Sequence, residues 1–349
     1  MNIPLGLSGF YDLALRNART GAVTPLGRVK NLITDSGFDA PARYAFAKCF
    51  EVIAVGTGRT AAKAADTKLE AFVAKSTSYA TGGSTINGIN FPNAADGDYT
   101  VRELFRTFLA YQNRSGAAVA IGELGVSWEN VDNPTLFSRI VLTDAVSVPE
   151  GFDLLVRYTL RFQLPKDIFR TWKATTLRIG SVDVAGKLTM AAYYYKNESP
   201  MYFGMSYINA DGTSVNVITG TGTDAGRAHP YFGLLEPSAI GSGIAGAIDS
   251  NTSDDATYCL GVGNALGGSL LPYVAGSGSI VKHHTFPASK LPGRTDLRTI
   301  AVGQNCGGSS LSNGNNAYAH QIRFQSDAAF TKAATVQWDI DLTLTWARS

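Results

Sequence analysis

The run with the greatest apparent chemical reach is Glu51-Val-Ile-Ala-Val-Gly56-Thr-Gly58-Arg-Thr-Ala61. A strand followed by GxGxxA is the pattern with which a dinucleotide-binding turn offers backbone N–H groups to a pyrophosphate. That chemistry also needs a helix, a second parallel strand and an acid at its end. Residues 76–89 supply Ser, Thr, Gly and Asn instead, and Gly56 and Lys63 are misspaced for a P-loop. The glycines therefore predict a tight turn. Glu103, Glu123 and Glu129 are candidate acids for glycoside cleavage, which requires two facing carboxylates. Their competing role is as solvated or strand-pair charges near strand ends.

Metal chemistry finds weaker ground. Asp249, Asn251, Ser253, Asp254 and Asp255 could offer side-chain oxygens to calcium, but Asp254 stands where the EF-hand needs glycine and Leu260 where it needs glutamate. The segment reads as an Asx-rich surface loop. His283 and His284 are adjacent, so on a strand they point to opposite faces. His229 and His320 have no ligand-spaced partner. Neither GxSxG nor HExxH occurs, and Cys49, Cys259 and Cys306 stand in no known nucleophile setting. The expectation is a non-enzyme without cofactor or metal. Tyr193, Tyr194 and Tyr195, followed by Tyr202, Phe203 and Tyr207, form an aromatic concentration. Such rings suit sugar stacking or subunit contact; alternatively, every second one faces a β core.

Positioning these residues falls to strands. Leu154, Val156, Tyr158, Leu160, Phe162 and Leu164 alternate with more polar neighbours, and Val336, Trp338, Ile340, Leu342, Leu344 and Trp346 do the same. Period two over eleven residues predicts strands with one face in a core and one in water. Such alternation belongs to antiparallel sheets. Shorter strands are expected at 50–55, 119–128, 136–142, 177–184, 187–195 and 320–324, separated by turns such as Gly82-Gly83, Asn87-Gly88, Asp96-Gly97, Pro149-Glu-Gly151 and Asp211-Gly212. Thr67-Lys-Leu-Glu70 resembles a capping box and predicts a short helix through Lys75. In 99–112, Val101, Leu104, Phe105, Phe108 and Leu109 follow helical spacing. The fold class expected is mainly β, with antiparallel, jelly-roll-like sandwich units, long loops and little helix.

Composition agrees. Charged residues are 17% of 349, against about 25% in typical domains, and 37 glycines suit many turns. The low charge fits a surface covered by neighbours. A net charge of +2, with no basic run among aromatics, predicts no nucleic-acid partner. Three distant cysteines favour folding in a reducing cytoplasm. The first ten residues lack a signal-peptide pattern, and no apolar run approaches about 20 residues, so no membrane insertion is expected. A composition shift near Pro165 suggests two units, 1–165 and 166–349, the second carrying Gly/Ser/Thr/Asn-rich loops over 204–316. The alternative is one intertwined sandwich in which 336–346 pairs with 154–164.

Several ordered stretches resemble structural proteins of tailed-bacteriophage tails, collars and fibres. They are Arg19-Thr-Gly21 with Asn31-Leu-Ile-Thr-Asp-Ser-Gly-Phe38, then Val55-Gly-Thr-Gly58 and Asp66-Thr-Lys-Leu69. Ile121-Gly-Glu-Leu-Gly-Val126, Leu136-Phe-Ser-Arg139 and the strand 154–165 follow. Ile322-Arg-Phe324, Thr331-Lys332 and Trp346-Ala-Arg348 close the set, while Phe38 replaces the usual leucine. The resemblance implies a β-sandwich virion component, a structural turn at Gly56-Thr-Gly58, and strand within 99–112. It carries over no catalytic residue. Partners implied are further copies of the chain as a homo-oligomer and other virion proteins. The alternative function is recognition of host surface glycans through Tyr193, Tyr194 and Tyr195 or the loops of 204–316.

Overall fold

A computed structural model of the chain describes residues 2–42, 44, 48–80, 89–90, 99–165, 173–179, 182–191, 206–208, 214–216, 237–241, 259–260, 268–286, 288, 294–303 and 321–349. The described fold is mainly β, with one short helix, α1 (Asp35–Asp39). The strands begin with β1 (Asn2–Asn17), β2 (Val23–Lys30), β3 (Leu32–Ile33), β4 (Val52–Gly56), β5 (Phe72–Ser76), β6 (Ile89–Asn90) and β7 (Tyr99–Gln112). Next come β8 (Val119–Ser127), β9 (Ser138–Val148), β10 (Phe152–Pro165), β11 (Lys173–Ile179) and β12 (Val182–Ala191). Short strands follow at β13 (Ser206–Ile208), β14 (Ser214–Asn216), β15 (Pro237–Gly241), β16 (Cys259–Leu260) and β17 (Gly268–Leu270). The last four are β18 (Ser279–Phe286), β19 (Arg294–Gly303), β20 (Gln321–Lys332) and β21 (Trp338–Arg348).

The largest sheet runs β17-β18-β21-β1-β10-β7-β6. β1 is long enough to take two neighbours on one edge: β21 pairs in parallel with Asn2 to Leu7, and β2 pairs antiparallel with Phe10 to Arg16. The second sheet is β3-β9-β8-β4-β5, and a third is β11-β12-β20-β19-β15-β16. β21 is thus not a neighbour of β10, because β1 lies between them. Strands drawn from 268–286 and 338–348 share a sheet with β1, β7 and β10.

The apolar set of the β10 alternation faces the core from 154 to 160: Leu154, Val156, Tyr158 and Leu160 are all wholly buried. They meet the buried faces of β4 and β8 across a sandwich core. Tyr158 is the hub, its ring 5.0 Å from Tyr11, 5.1 Å from Phe50 and 6.5 Å from Phe137. The Tyr11 hydroxyl is satisfied across the core by Ser138 Oγ at 3.0 Å. At the end of β10, buried Asp153 accepts from Arg16 Nη2 and Arg114 Nη2, each at 2.8 Å. Burial pushes the Asp153 carboxyl up, but the two guanidinium groups outweigh it and hold it below the usual carboxylate range.

Four expectations are corrected. Residues 99–112 form β7 and not a helix, paired with β10 along their length. Leu104, Arg106, Phe108 and Ala110 face the core, while Phe105 lies on the other face under the Arg157 guanidinium, 3.5 Å from the ring centre. Apolar residues on both faces of a strand produced the helical spacing. Residues 67–75 form no helix, because their N–H groups bond elsewhere: Leu69 to Asn133 Oδ1, and Glu70 and Ala71 to Glu123. The apolar run 177–184 is split between β11 and β12, which pair antiparallel. Val336 precedes β21 and is 45% exposed. Pro149-Glu-Gly151 does turn, with Gly151 at φ 78°. Gly82-Gly83, Asn87-Gly88, Asp96-Gly97 and Asp211-Gly212 lie outside the described residues.

Candidate functional site

Glu123 sits on β8 between apolar neighbours and is completely buried. An isolated carboxylate there would be costly, so its oxygens must be fully engaged. Five N–H groups converge on it. Oε1 accepts from Gly58 N at 3.2 Å and Ala71 N at 2.7 Å. Oε2 accepts from Glu70 N at 3.1 Å and from Arg139 Nε and Nη2 at 3.0 and 2.7 Å. β8 and β9 are neighbours in one sheet, which places Arg139 beside Glu123.

Arg139 is itself only 3% exposed. Its Nη1 donates to Asp66 Oδ2 at 2.6 Å and its Nη2 to Thr60 O at 3.2 Å. Burial would pull the guanidinium down, yet Asp66 and Glu123 hold it above its ordinary value. Burial likewise pushes Asp66 up, but the Lys63 N–H and Arg139 win and keep it low. At the rim, Glu70 accepts from Thr60 Oγ1, Thr60 N and Arg59 N. The Thr60 hydroxyl first, and then these N–H groups, lower its carboxyl.

The glycines follow from this packing. A Cβ on Gly56 would lie 2.6 Å from Glu123 Oε1, and one on Gly58 would overlap the same oxygen. On Gly122 it would lie 2.6 Å from Gly58 O, and on Gly125 2.6 Å from Leu136 Cδ2. Only residues without a Cβ let the 57–71 loop close over β8. β4 enters this loop and then pairs antiparallel with β5, so no phosphate-binding strand–helix turn exists here.

A second cluster joins α1 to the last strand. Thr34 caps α1, accepting from Gly37 N at 3.0 Å and donating to Leu136 O at 2.6 Å. Gly37 packs directly on the Phe137 carbonyl, leaving no room for a Cβ. Trp346 Nε1 donates to Phe38 O at 2.7 Å, and its ring stacks on Tyr273 at 6.1 Å. Arg348 donates to Ile33 O at 2.9 Å and pairs with Asp35 at 2.6 Å, with its guanidinium 4.7 Å from the Phe38 ring. Tyr273 donates to Asp39 at 2.6 Å; burial first, then this carboxylate, push its phenol up to about 12.

The stretches 31–38, 55–58, 66–69, 121–126, 136–139 and 346–348 therefore meet in two contact clusters. The side chains of Thr34, Asp66, Glu123 and Arg139 are occupied by partners within these stretches or in the loops beside them. Glu103 lies in the other sheet, paired with Arg161 at 2.7 Å and Arg28 at 3.8 Å, while Glu129 accepts from Thr135 N. The three glutamates share no hydrogen-bond partner among the described residues. Of them, Glu123 is a strand-pair charge and not a solvated one. The Cys49 thiol is wholly buried; burial first, then nearby Glu51, push it up and keep it protonated. His283 pairs with Asp341 at 2.7 Å. Among the described residues no group of three or more metal-capable side chains lies together, and no helix is long and apolar enough to cross a membrane. Tyr193, Tyr194 and Tyr195, His229, His320, Cys306 and the Asp249 to Asp255 loop lie outside the described residues.

Sequence reasoning treated Glu123 and Arg139 separately and missed that they form one ion cluster. The available signal was a single charge inside each of two largely apolar runs, Glu123 within 119–128 and Arg139 within 136–142. No family model, curated protein or solved structure matches this chain.

Proposed function

We propose that this chain is a non-enzymatic structural component of a tailed-bacteriophage virion, in the tail, collar or fibre, acting as a symmetric homo-oligomer among other virion proteins. The observation that carries the reading is the use to which the chain puts its most reactive-looking residues. Gly56, Gly58, Asp66, Glu123 and Arg139 close a loop over a sheet, and their donors and acceptors are taken up within the protein. A catalytic pair needs a carboxylate or base left open toward substrate; Glu123 faces five donors and no solvent. The low charge content supports a surface made to meet neighbours. Symmetric axial assemblies also suit a chain built mainly of sheets.

Mass spectrometry of gradient-purified particles of the phage that encodes the chain tests this reading. The chain should be present in multiple copies per particle. Its absence from particles, with the protein recovered only free in lysed cells, overturns the proposal. Light scattering of the recombinant chain should give a mass that is a multiple of 37.0 kDa.

A further inference from the structure

Beside the Glu123–Arg139 cluster, β9 leaves its ladder with β8. Ile121 pairs with Val146 and Glu123 with Val141, so four residues, 142–145, stand opposite Gly122 alone. Peptide groups in such a bulge lose their cross-strand partners, and bulges of this kind recur next to binding sites. The missing side chain at 122 has a direct consequence. Its Cβ would lie 2.9 Å from Arg59 Cδ, so glycine lets the Arg59 side chain lie across the sheet. There the guanidinium donates to Thr143 O, in the bulge, at 2.6 Å.

A cleft of about 540 Å³ opens between this bulge, the end of β2 and the 59–62 loop, within the usual range of about 300–1,000 Å³ for small-molecule sites. Leu32, Ile140 and Leu142 give it a short apolar wall. Lys30 and Arg59 stand at its rim, and no acidic side chain lines it. Arg139 reaches its floor already neutralised by Glu123 and Asp66. Lys30 and Arg59 have no ion pair among the described residues. The cleft therefore carries two cations without ion pairs, beside the Leu142-Thr143 end of the bulge and a small apolar face.

We propose that this cleft binds a compact organic oxyanion, a carboxylate or phosphate monoester on a sugar-sized body. The anion lies between the Lys30 ammonium and the Arg59 guanidinium, and the body rests on Leu32 and Ile140 with its hydroxyls toward Thr143 and Asn31. This assignment does not depend on the virion reading, because it follows from charge and shape alone.

Saturation-transfer NMR on the full chain tests it, with glucuronate, glucose 6-phosphate and neutral glucose as probes. Either acid, or both, should bind while glucose does not, and the stronger of the two identifies the oxyanion. Lys30→Gln and Arg59→Gln should each weaken binding about threefold, the scale of one exposed charge pair. Added salt should weaken it further by screening. Gln at 59 removes the charge while keeping a polar side chain, and an unchanged thermal midpoint shows that the fold is intact. Binding of glucose equal to that of the acids, no acid binding at all, or acid binding unaltered in both variants overturns the proposal.

Discussion

Replacing Glu123 by glutamine is nearly isosteric and tests the ion cluster directly. The amide keeps one acceptor oxygen but turns its other end into an NH2 group. That end must face either Gly58 N and Ala71 N or Glu70 N and Arg139, so donors confront donors whichever way it is set. At the same time Arg139, 3% exposed, loses its fully buried counter-charge and keeps Asp66. Removing one partner of a buried ion pair costs about 3–5 kcal/mol. Because Asp66 still compensates part of the charge, the loss should fall near the lower end, about 3 kcal/mol. Urea unfolding followed by far-UV circular dichroism reads it as a shift in midpoint. Arg139→Met and the double variant complete a cycle, in which the double should be less destabilised than the sum of the singles by about 2 kcal/mol. A single Glu123→Gln loss below about 1 kcal/mol, with strictly additive singles, would falsify the clamp.

Gly58→Ala forces a Cβ onto Glu123 Oε1 and should cost about 1–3 kcal/mol, as overpacking does; an unchanged unfolding midpoint would count against the close packing. Asp66 and Asp153 have carboxyls held low in the folded chain, so their contribution to stability is full above the unfolded value of about 3.9 and is lost as pH falls toward the folded values. Thermal midpoints should therefore drop below about pH 4, with a shallower drop in Asp153→Asn; the same acid profile in that variant would remove Asp153 from the account. Trp346→Phe deletes the bond to Phe38 O and should cost about 1–2 kcal/mol; an unfolding midpoint equal to that of the parent would contradict this. Iodoacetamide labelling mapped by mass spectrometry should leave Cys49 unmodified in the folded chain and modify it in denaturant; fast native labelling would show that the thiol is not buried.

Much of the scaffold was legible because burial imposes a period. In β10, every apolar position of the alternation from Leu154 to Leu160 is a core residue. β7 was misread from the same principle, since Phe105 and Leu109 lie opposite the core face and supply helical spacing by coincidence. Local capping chemistry misled at Thr67, where backbone donors find partners distant in sequence, such as Asn133 and Glu123. The placement of β1 between β10 and β21 depends on register across more than three hundred residues, which no local pattern encodes. For the site, Glu123 was visible as a buried-strand charge, but its partners come from three other segments. What joined those segments was their order along the chain, and only the fold turned order into contact.

Gold-labelled antibody on tailed particles purified from a lysate that contains the chain, viewed by electron microscopy, tests the proposed role. The account predicts label at a fixed axial position on every particle, at the tail, collar or fibre. Unlabelled particles, alongside abundant free protein in the same lysate, would contradict it.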